Sequence, residues 1–150
     1  MNIYLREFVK KTKPKTAFDF GCGEGFDMAM LKHLGVDVKG ADLPELDMNY
    51  PQEVGQYDLV YSNYVLPFVD NKKNFVDNLN KNLKKGGHFF VATFSKNDEI
   101  IKNRGTTKEE LLKLFEGRDF RNIAIEDYQN YDNEPKHNHW HKLLIIKGKK

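Results

Sequence analysis

Cysteine is almost absent. Cys22 is the one thiol in 150 residues, so no internal disulfide can form and a cysteine-built zinc site is excluded. Long apolar runs are missing as well. Nothing approaches the roughly 20 consecutive apolar residues that cross a bilayer as a helix, and no membrane role is expected. Proline is sparse, at 5 residues, and no Pro/Gly/Ser-rich stretch divides the chain, so residues 1–150 are expected to form one domain. Neither charge dominates: 24 Lys and Arg face 22 Asp and Glu, for a net charge of +2. The electrostatic footprint of a nucleic-acid binder is therefore lacking. The opening segment MNIYLREFVKKTKP is charged throughout and has no small-residue cleavage site, so a secretory leader is not expected there. With the single cysteine, this favours a cytoplasmic protein. Basic residues gather at 10–15, 81–85 and 147–150, at helix and chain ends, as a solvated surface would have them.

What is present is an alternation of strand and helix patterns. Leu5, Phe8 and Val9 fall at helical spacing before Pro14, which predicts a helix over 3–12. A strand is expected at 16–20 (TAFDF), a helix at 27–34 stopped by Gly35, and a second strand at 36–41. Residues 42–56 read as loop, with 46–48 as a possible very short strand. A strand follows at 57–62 (YDLVYS). Phe75, Val76, Leu79 and Leu83 mark one face of a helix over 71–85, closed by Gly86-Gly87. HFFVATF at 88–94 is a nearly continuous apolar strand. Thr107 and Glu110 have capping-box spacing ahead of Leu111 and Phe115. Strands at 118–128 and 140–147 are joined by the polar segment 129–138, which predicts an antiparallel hairpin. The order predicts an α/β fold, a single Rossmann-like doubly wound sheet, mostly parallel, with that hairpin at its C-terminal side.

The chemistry concentrates at Phe18-Asp19-Phe20-Gly21-Cys22-Gly23-Glu24-Gly25, between the first strand and the next helix. Glycines there allow a tight turn and close approach of a ligand. Ligands of open α/β sheets bind beyond the carboxyl ends of the strands, where this loop lies. Asp42 stands at the end of the second strand, about 20 residues beyond the first glycine, a spacing that suits a carboxylate accepting from ribose hydroxyls. A dinucleotide cradle is disfavoured: the spacing is GxGxG, not GxGxxG, and Glu24 would repel a pyrophosphate while tolerating a cationic ligand.

These residues resemble the class I S-adenosylmethionine-dependent methyltransferases. DFGCGEG matches the family's first motif, acid-x-Gly-x-Gly-x-Gly. GADLPE resembles its acidic strand end, LDMN its short adenine-contacting segment, YDLVYSNYVLPFV its fourth-strand motif, and LKKGGHFFVATF its fifth strand. KEELLKLFEGRDF and the late His-containing strand look most like tellurite-resistance-type and other short, type 11-like small-molecule enzymes. The resemblance implies six or seven strands with the third reduced, and S-adenosylmethionine as cofactor. It implies that Asp19 faces the methionine ammonium, that Gly21 and Gly23, with Cys22 between them, pack on the methionyl and ribose portion, and that Asp42 takes the ribose hydroxyls. Leu43 would then cover the adenine, Asp47 accept from its amine with Met48 alongside, the Asn63 backbone accept from the methionine amine, and Tyr64 lie near the departing methyl.

The implied activity is methyl transfer to a small-molecule acceptor with S-adenosylhomocysteine as product. The alternatives are a non-catalytic binding module or partner subunit and, further off, a nucleic-acid or protein methyltransferase. Ser62-Asn63-Tyr64-Val65-Leu66-Pro67 lacks the paired prolines of amino-group base methyltransferases, so a nucleic-acid substrate is disfavoured. The lid segment 95–105 is short, which favours a small acceptor. His137, His139 and His141 alternate and would share one face of a strand. With no carboxylate on that strand to complete a set, no metal site is expected there, and His139 and His141 stand with Tyr64 as candidates for the base. His33 and His88 read as ordinary edge residues, and Cys22 as a packing residue, not a nucleophile. The number of subunits is left open.

Overall fold

Asn2 starts the chain's first helix. Its side-chain oxygen accepts from the N–H groups of Tyr4 and Leu5 at 3.0 and 3.1 Å, satisfying two donors that a helix leaves unpaired at its start. The computed structural model describes residues 1–101, 103–134 and 137–150. In chain order the elements are α1 (Ile3–Thr12), β1 (Thr16–Phe20), α2 (Phe26–His33), β2 (Asp37–Ala41), β3 (Tyr57–Asn63), a 3-10 turn (Leu66–Phe68), α3 (Lys72–Lys81), β4 (Leu83–Phe94), α4 (Lys108–Phe115), β5 (Arg121–Glu134) and β6 (His137–Lys149). They build one six-stranded sheet in the order β2-β1-β3-β4-β6-β5. β1, β2, β3 and β4 run parallel, and β6 pairs antiparallel with both β4 and β5. Six strands, with none between β2 and β3, match the strand number and the reduced third strand that the resemblance implies.

The period-2 alternation of the strands assigns their side chains to two faces. Phe18, Phe20, Val60, Phe89, Val91, Leu144 and Ile146 pack with Phe75 and Leu79 of α3 and Phe115 of α4. Ala17, Leu59, Tyr61, Phe90, Ala92 and Ile145 pack with Leu5 and Val9 of α1 and Leu31 of α2. Burying one such side chain contributes about 1.5–3 kcal/mol. Both faces being covered explains why HFFVATF reads as a continuous apolar run. Among the described residues, no helix is long and apolar enough to cross a membrane.

Four expectations are corrected. The helix expected over 71–85 stops at Lys81, because fully buried Asn82 turns its side chain back on the backbone. Asn82 Oδ1 accepts from Val54 N–H at 2.8 Å, and its Nδ2 donates to the Gln52 and Asn78 carbonyls at 3.0 and 2.8 Å. Leu83 then pairs with Tyr57, and Gly86-Gly87 lie inside β4, across a register shift, instead of ending a helix. No strand forms at 46–48. Leu46 and Met48 are buried, but turn bonds hold the backbone, Leu46 N–H to Asp42 O at 3.0 Å and Tyr50 N–H to Asp47 O at 3.1 Å. The hairpin strands run well past 128 and begin before 140. At their outer ends β5 and β6 pair only with each other, with the Tyr131 and Trp140 rings 5.1 Å apart and Tyr131 Oη donating to Asn138 Oδ1 at 2.7 Å. Residues 129–138 are almost entirely polar and show no apolar alternation, so the segment reads as polar loop.

Candidate functional site

At the carboxyl ends of β1, β2 and β3 the chain forms a cradle. The N–H groups of Gly21 and Cys22 donate to the Ala41 carbonyl at 2.9 and 3.3 Å, which ties the turn after β1 to the end of β2. Gly21 has φ +86°, and a Cβ built on it would stand 2.2 Å from Val65 Cγ2. Only glycine lets the loop lie flat against that residue. The Asp42 carboxylate holds the loop from the other side, accepting from Gly23 N–H at 2.7 Å and from Leu43 N–H at 2.7 Å. A carboxylate has about four acceptor sites, so each oxygen retains capacity for a hydroxyl donor.

A cleft of about 280 Å³ opens beside this cradle, with Gly21, Asp42, Leu43, Asp47, Met48 and Tyr64 in its wall. Its lining is mostly apolar, with the two carboxylates Asp42 and Asp47 among it. Leu43 stands exposed at the rim. Asp47 Oδ1 accepts from the Asn49 backbone and side chain, both at 2.9 Å, which fixes the carboxyl in place.

Beneath the cradle the site is acidic. Asp19 is 3% exposed; burial above all, then the nearby Asp27 and Asp42 charges, push its carboxyl up to about 8 against a partial offset from Tyr61. The Tyr61 hydroxyl is buried beside Asp19. Burial, and then the Asp19 charge, drive it far above the ordinary phenol range. Asp27, at the start of α2, accepts from Asn2 N–H at 2.6 Å and from Asn63 Nδ2 at 2.9 Å. Ser62 Oγ donates to the Phe20 carbonyl at 2.6 Å, so the ends of β1, β3, α1 and α2 are locked together around one cluster of carboxylates. Among the described residues no cation is paired with these three acids, and together they offer a seat for positive charge.

A second cleft, of about 250 Å³, adjoins the first and shares Tyr64 and Phe68 with it; its other walls include Phe94, Ile101, Asp132 and His141. Tyr64 holds a left-handed backbone, φ 66°, fixed by its N–H donating to Ala92 O at 2.8 Å. Burial first, then Asp27, push its phenol up to about 12. The His141 ring packs edge-on to Phe94 at 5.0 Å.

Of the residues singled out from the sequence, Gly21, Asp42, Leu43, Asp47, Met48 and Tyr64 share the first cleft, with Asp19, Cys22 and Gly23 in the cradle behind it. Asn63 lies at the end of β3, its side chain engaged by Asp27 and Asn2. Cys22 packs on Gly40, whose added Cβ would stand 2.9 Å from the Cys22 Cβ. Burial, then Asp19 and Asp42, keep its thiol above the ordinary value. His139 touches His141 at 2.9 Å, and His141 reaches the second cleft; the His137 side chain lies outside the described residues. Sequence reasoning missed Asp27, Asn2 and Asp98. Asp27 carries a usable signal as an acid in the first turn of a helix that opens on the glycine loop. Asp98 carries none, because its partners come from distant β6.

A family model described as a methyltransferase domain matches residues 2–140. Among solved structures, the chain is similar to TehB from Haemophilus influenzae (TM-score 0.78, 17% identity), covering 100% of this chain and 62% of that one. It is similar to Haemonchus contortus phosphoethanolamine N-methyltransferase 2, solved in complex with S-adenosyl-L-methionine (TM-score 0.76, 13% identity, 99% of this chain and 53% of that one). It is also similar to a SAM-dependent methyltransferase from Archaeoglobus fulgidus (TM-score 0.73, 12% identity, 98% of this chain and 93% of that one). The chain thus spans less than two thirds of the length of the first two. No curated protein sequence matches it.

Proposed function

The chain belongs to the methyltransferase-domain family, and from that premise we propose that it uses S-adenosylmethionine to methylate a small-molecule acceptor, with one domain, residues 1–150, carrying both clefts. The observation that carries this reading is the pairing of the acidic seat with the cleft beside it. A buried Asp19 pushed up to about 8 by burial and by its acidic neighbours calls for a cationic ligand, and a pyrophosphate does not supply one. The residues fit the cofactor on this ground. Asp42 would take the ribose hydroxyls, Leu43 and Met48 the adenine faces, Asp47 the adenine amine, and Asp19 with the Asn63 backbone the methionine ammonium.

When bound, the cofactor supplies an electrophilic methyl carbon on a sulfonium. The protein's task is then alignment and exclusion of water. Tyr64 and Phe68 stand in both clefts, so their rings form the partition across which the reacting atoms would face each other. An aromatic face there also attracts positive charge. The Tyr64 phenol, pushed up to about 12, stays protonated at neutral pH and serves as wall and hydrogen-bond donor. Proton removal falls to His141 in the wall of the second cleft, with His139 against it at 2.9 Å. The size of that cleft, about 250 Å³, and the brevity of segment 95–105 support a small acceptor.

The test is methyl transfer itself. The purified chain is incubated with S-adenosylmethionine and a panel of small phenols, thiols, amines and oxyanions, and S-adenosylhomocysteine release is read. Acceptor-dependent release is expected. Cofactor binding without release for any acceptor would leave a binding module instead of an enzyme.

A further inference from the structure

Asp98 is not in the wall of the first cleft, yet it is 0% exposed and its carboxylate is fully engaged. Oδ1 accepts from the N–H groups of Ile100 and Ile101, both at 2.9 Å. Oδ2 accepts from Lys142 N–H at 2.8 Å and contacts His141 Nδ1 at 2.9 Å. Burial works against its ionisation, but the Ile101, Lys142, His141 and Ile100 donors outweigh it and hold the carboxyl below its ordinary value. An ionised carboxylate only accepts. His141 Nδ1 must therefore carry the hydrogen, and in the neutral ring Nε2 carries the lone pair. His139 Nε2, at 2.9 Å from His141 Nε2, must then be the donor to it. The buried acid thus sets the tautomers of two rings in turn. The His141 side chain, 12% exposed, is in the wall of the second cleft, and His139 fills the position at Nε2 that an X–H donor would take.

We propose that Asp98 and His141 form a base dyad, Asp98 as the positioning residue and His141 Nε2 as the proton acceptor, and that the methyl acceptor is a small apolar molecule bearing an ionisable hydroxyl or thiol. This rests on the methyltransferase reading. In the step, the acceptor's O–H or S–H bond breaks and its proton passes to Nε2, displacing the His139 N–H. The electron pair left on the acceptor atom forms the new bond to the methyl carbon. The pair of the broken carbon–sulfur bond stays on the sulfur of the product thioether. The imidazolium, its positive charge compensated by Asp98, returns the proton to solvent. The walls suit the substrate: Tyr64, Phe68, Phe94 and Ile101 offer an apolar slot of about 250 Å³. The titratable and charged groups facing His141 are Asp98 from segment 95–105, His139 on its own strand, and Asp132 and Tyr64 across the cleft. Arg104 sits over the Phe68 ring at 5.0 Å.

The experiment has two parts. Nitrogen-15 NMR of the cofactor-free chain reads the His141 tautomer; the Nδ1–H form is expected, and the Nε2–H form would overturn the dyad. Methyl transfer to phenol and to a small alkyl thiol is then followed against pH for the wild type, Asp98→Asn and His141→Gln. A loss of about 10²–10⁴-fold in turnover is expected in both variants, with the rise from acid to neutral pH abolished and calorimetric affinity for S-adenosylmethionine within about twofold of wild type. Losses below threefold with an unchanged pH profile would overturn the base. If Asp98→Asn fails to fold, His141→Gln and the wild-type tautomer still decide the question. Transfer to iodide, which has no proton to lose, with none to phenol or thiol would overturn the substrate class. Absent cofactor binding by the wild type overturns the methyltransferase reading and the base together, whereas intact binding with the wrong tautomer overturns the dyad alone.

Discussion

Asp19 and Gly21 place the strongest demands on their surroundings at the scale of single residues. The Asp19 carboxyl is raised from an ordinary 3.8 to about 8, so between roughly pH 4 and 8 the folded chain holds a proton that the unfolded chain has released. Its contribution to stability is therefore present below that window and lost as pH rises through it. The cofactor-free protein is expected to lose thermal stability from pH 5 to pH 9 with a slope that Asp19→Asn removes. A cation seated there would expel the proton. Affinity for S-adenosylmethionine is thus expected to tighten from pH 6 to pH 9, with proton release seen by calorimetry in buffers of different ionisation enthalpy, and Asp19→Asn is expected to bind weakly with a flat profile. Gly21→Ala meets both a φ of +86° and Val65 Cγ2 at 2.2 Å. It is expected to cost about 1–3 kcal/mol of stability by urea unfolding and to distort the loop proposed to hold the cofactor.

Among the elements, α4 is the one whose start is spelled out in the sequence. Thr107 Oγ1 accepts from Glu110 N–H at 3.1 Å and the Glu110 carboxylate accepts from Thr107 N–H at 2.9 Å, the reciprocal capping box that the residue spacing predicts. Thr107→Ala is expected to cost about 1 kcal/mol in urea unfolding and to leave cofactor affinity unchanged, since α4 lies on the sheet away from the cradle. The glycine loop and Asp42 are legible for a similar reason: local turn geometry and the length of one βα unit fix where they meet. β4 and the outer hairpin are not legible. The start of β4 is set by Asn82, whose partners at Gln52 and Val54 are far away in sequence, and the polar hairpin segment 129–138 carries no apolar alternation from which a strand could be read. Asp98 is hidden in the same way, because its role depends on Lys142 and His141, 44 and 43 residues further along the chain.

Across the whole molecule, chemistry and charge lie at opposite ends of the sheet. Both clefts open at the carboxyl ends of β1, β2, β3 and β4. Lys13, Lys15, Lys84 and Lys85 gather around the opposite edge, joined there by the chain end through Gly86 N–H donating to Lys150 O at 2.6 Å. Basic clusters that are separate in sequence become one surface, away from the acidic seat. The account stands most directly on that seat and the cradle above it. The decisive measurement is calorimetric titration of S-adenosylmethionine into the wild-type chain and into Asp42→Ala. One site is expected in the wild type. The variant, lacking the carboxylate that would take the ribose hydroxyls and the anchor of the Gly23 N–H, is expected to bind at least about tenfold more weakly, the equivalent of about 1.4 kcal/mol. No binding by the wild type, or equal affinity in the variant, would contradict the account.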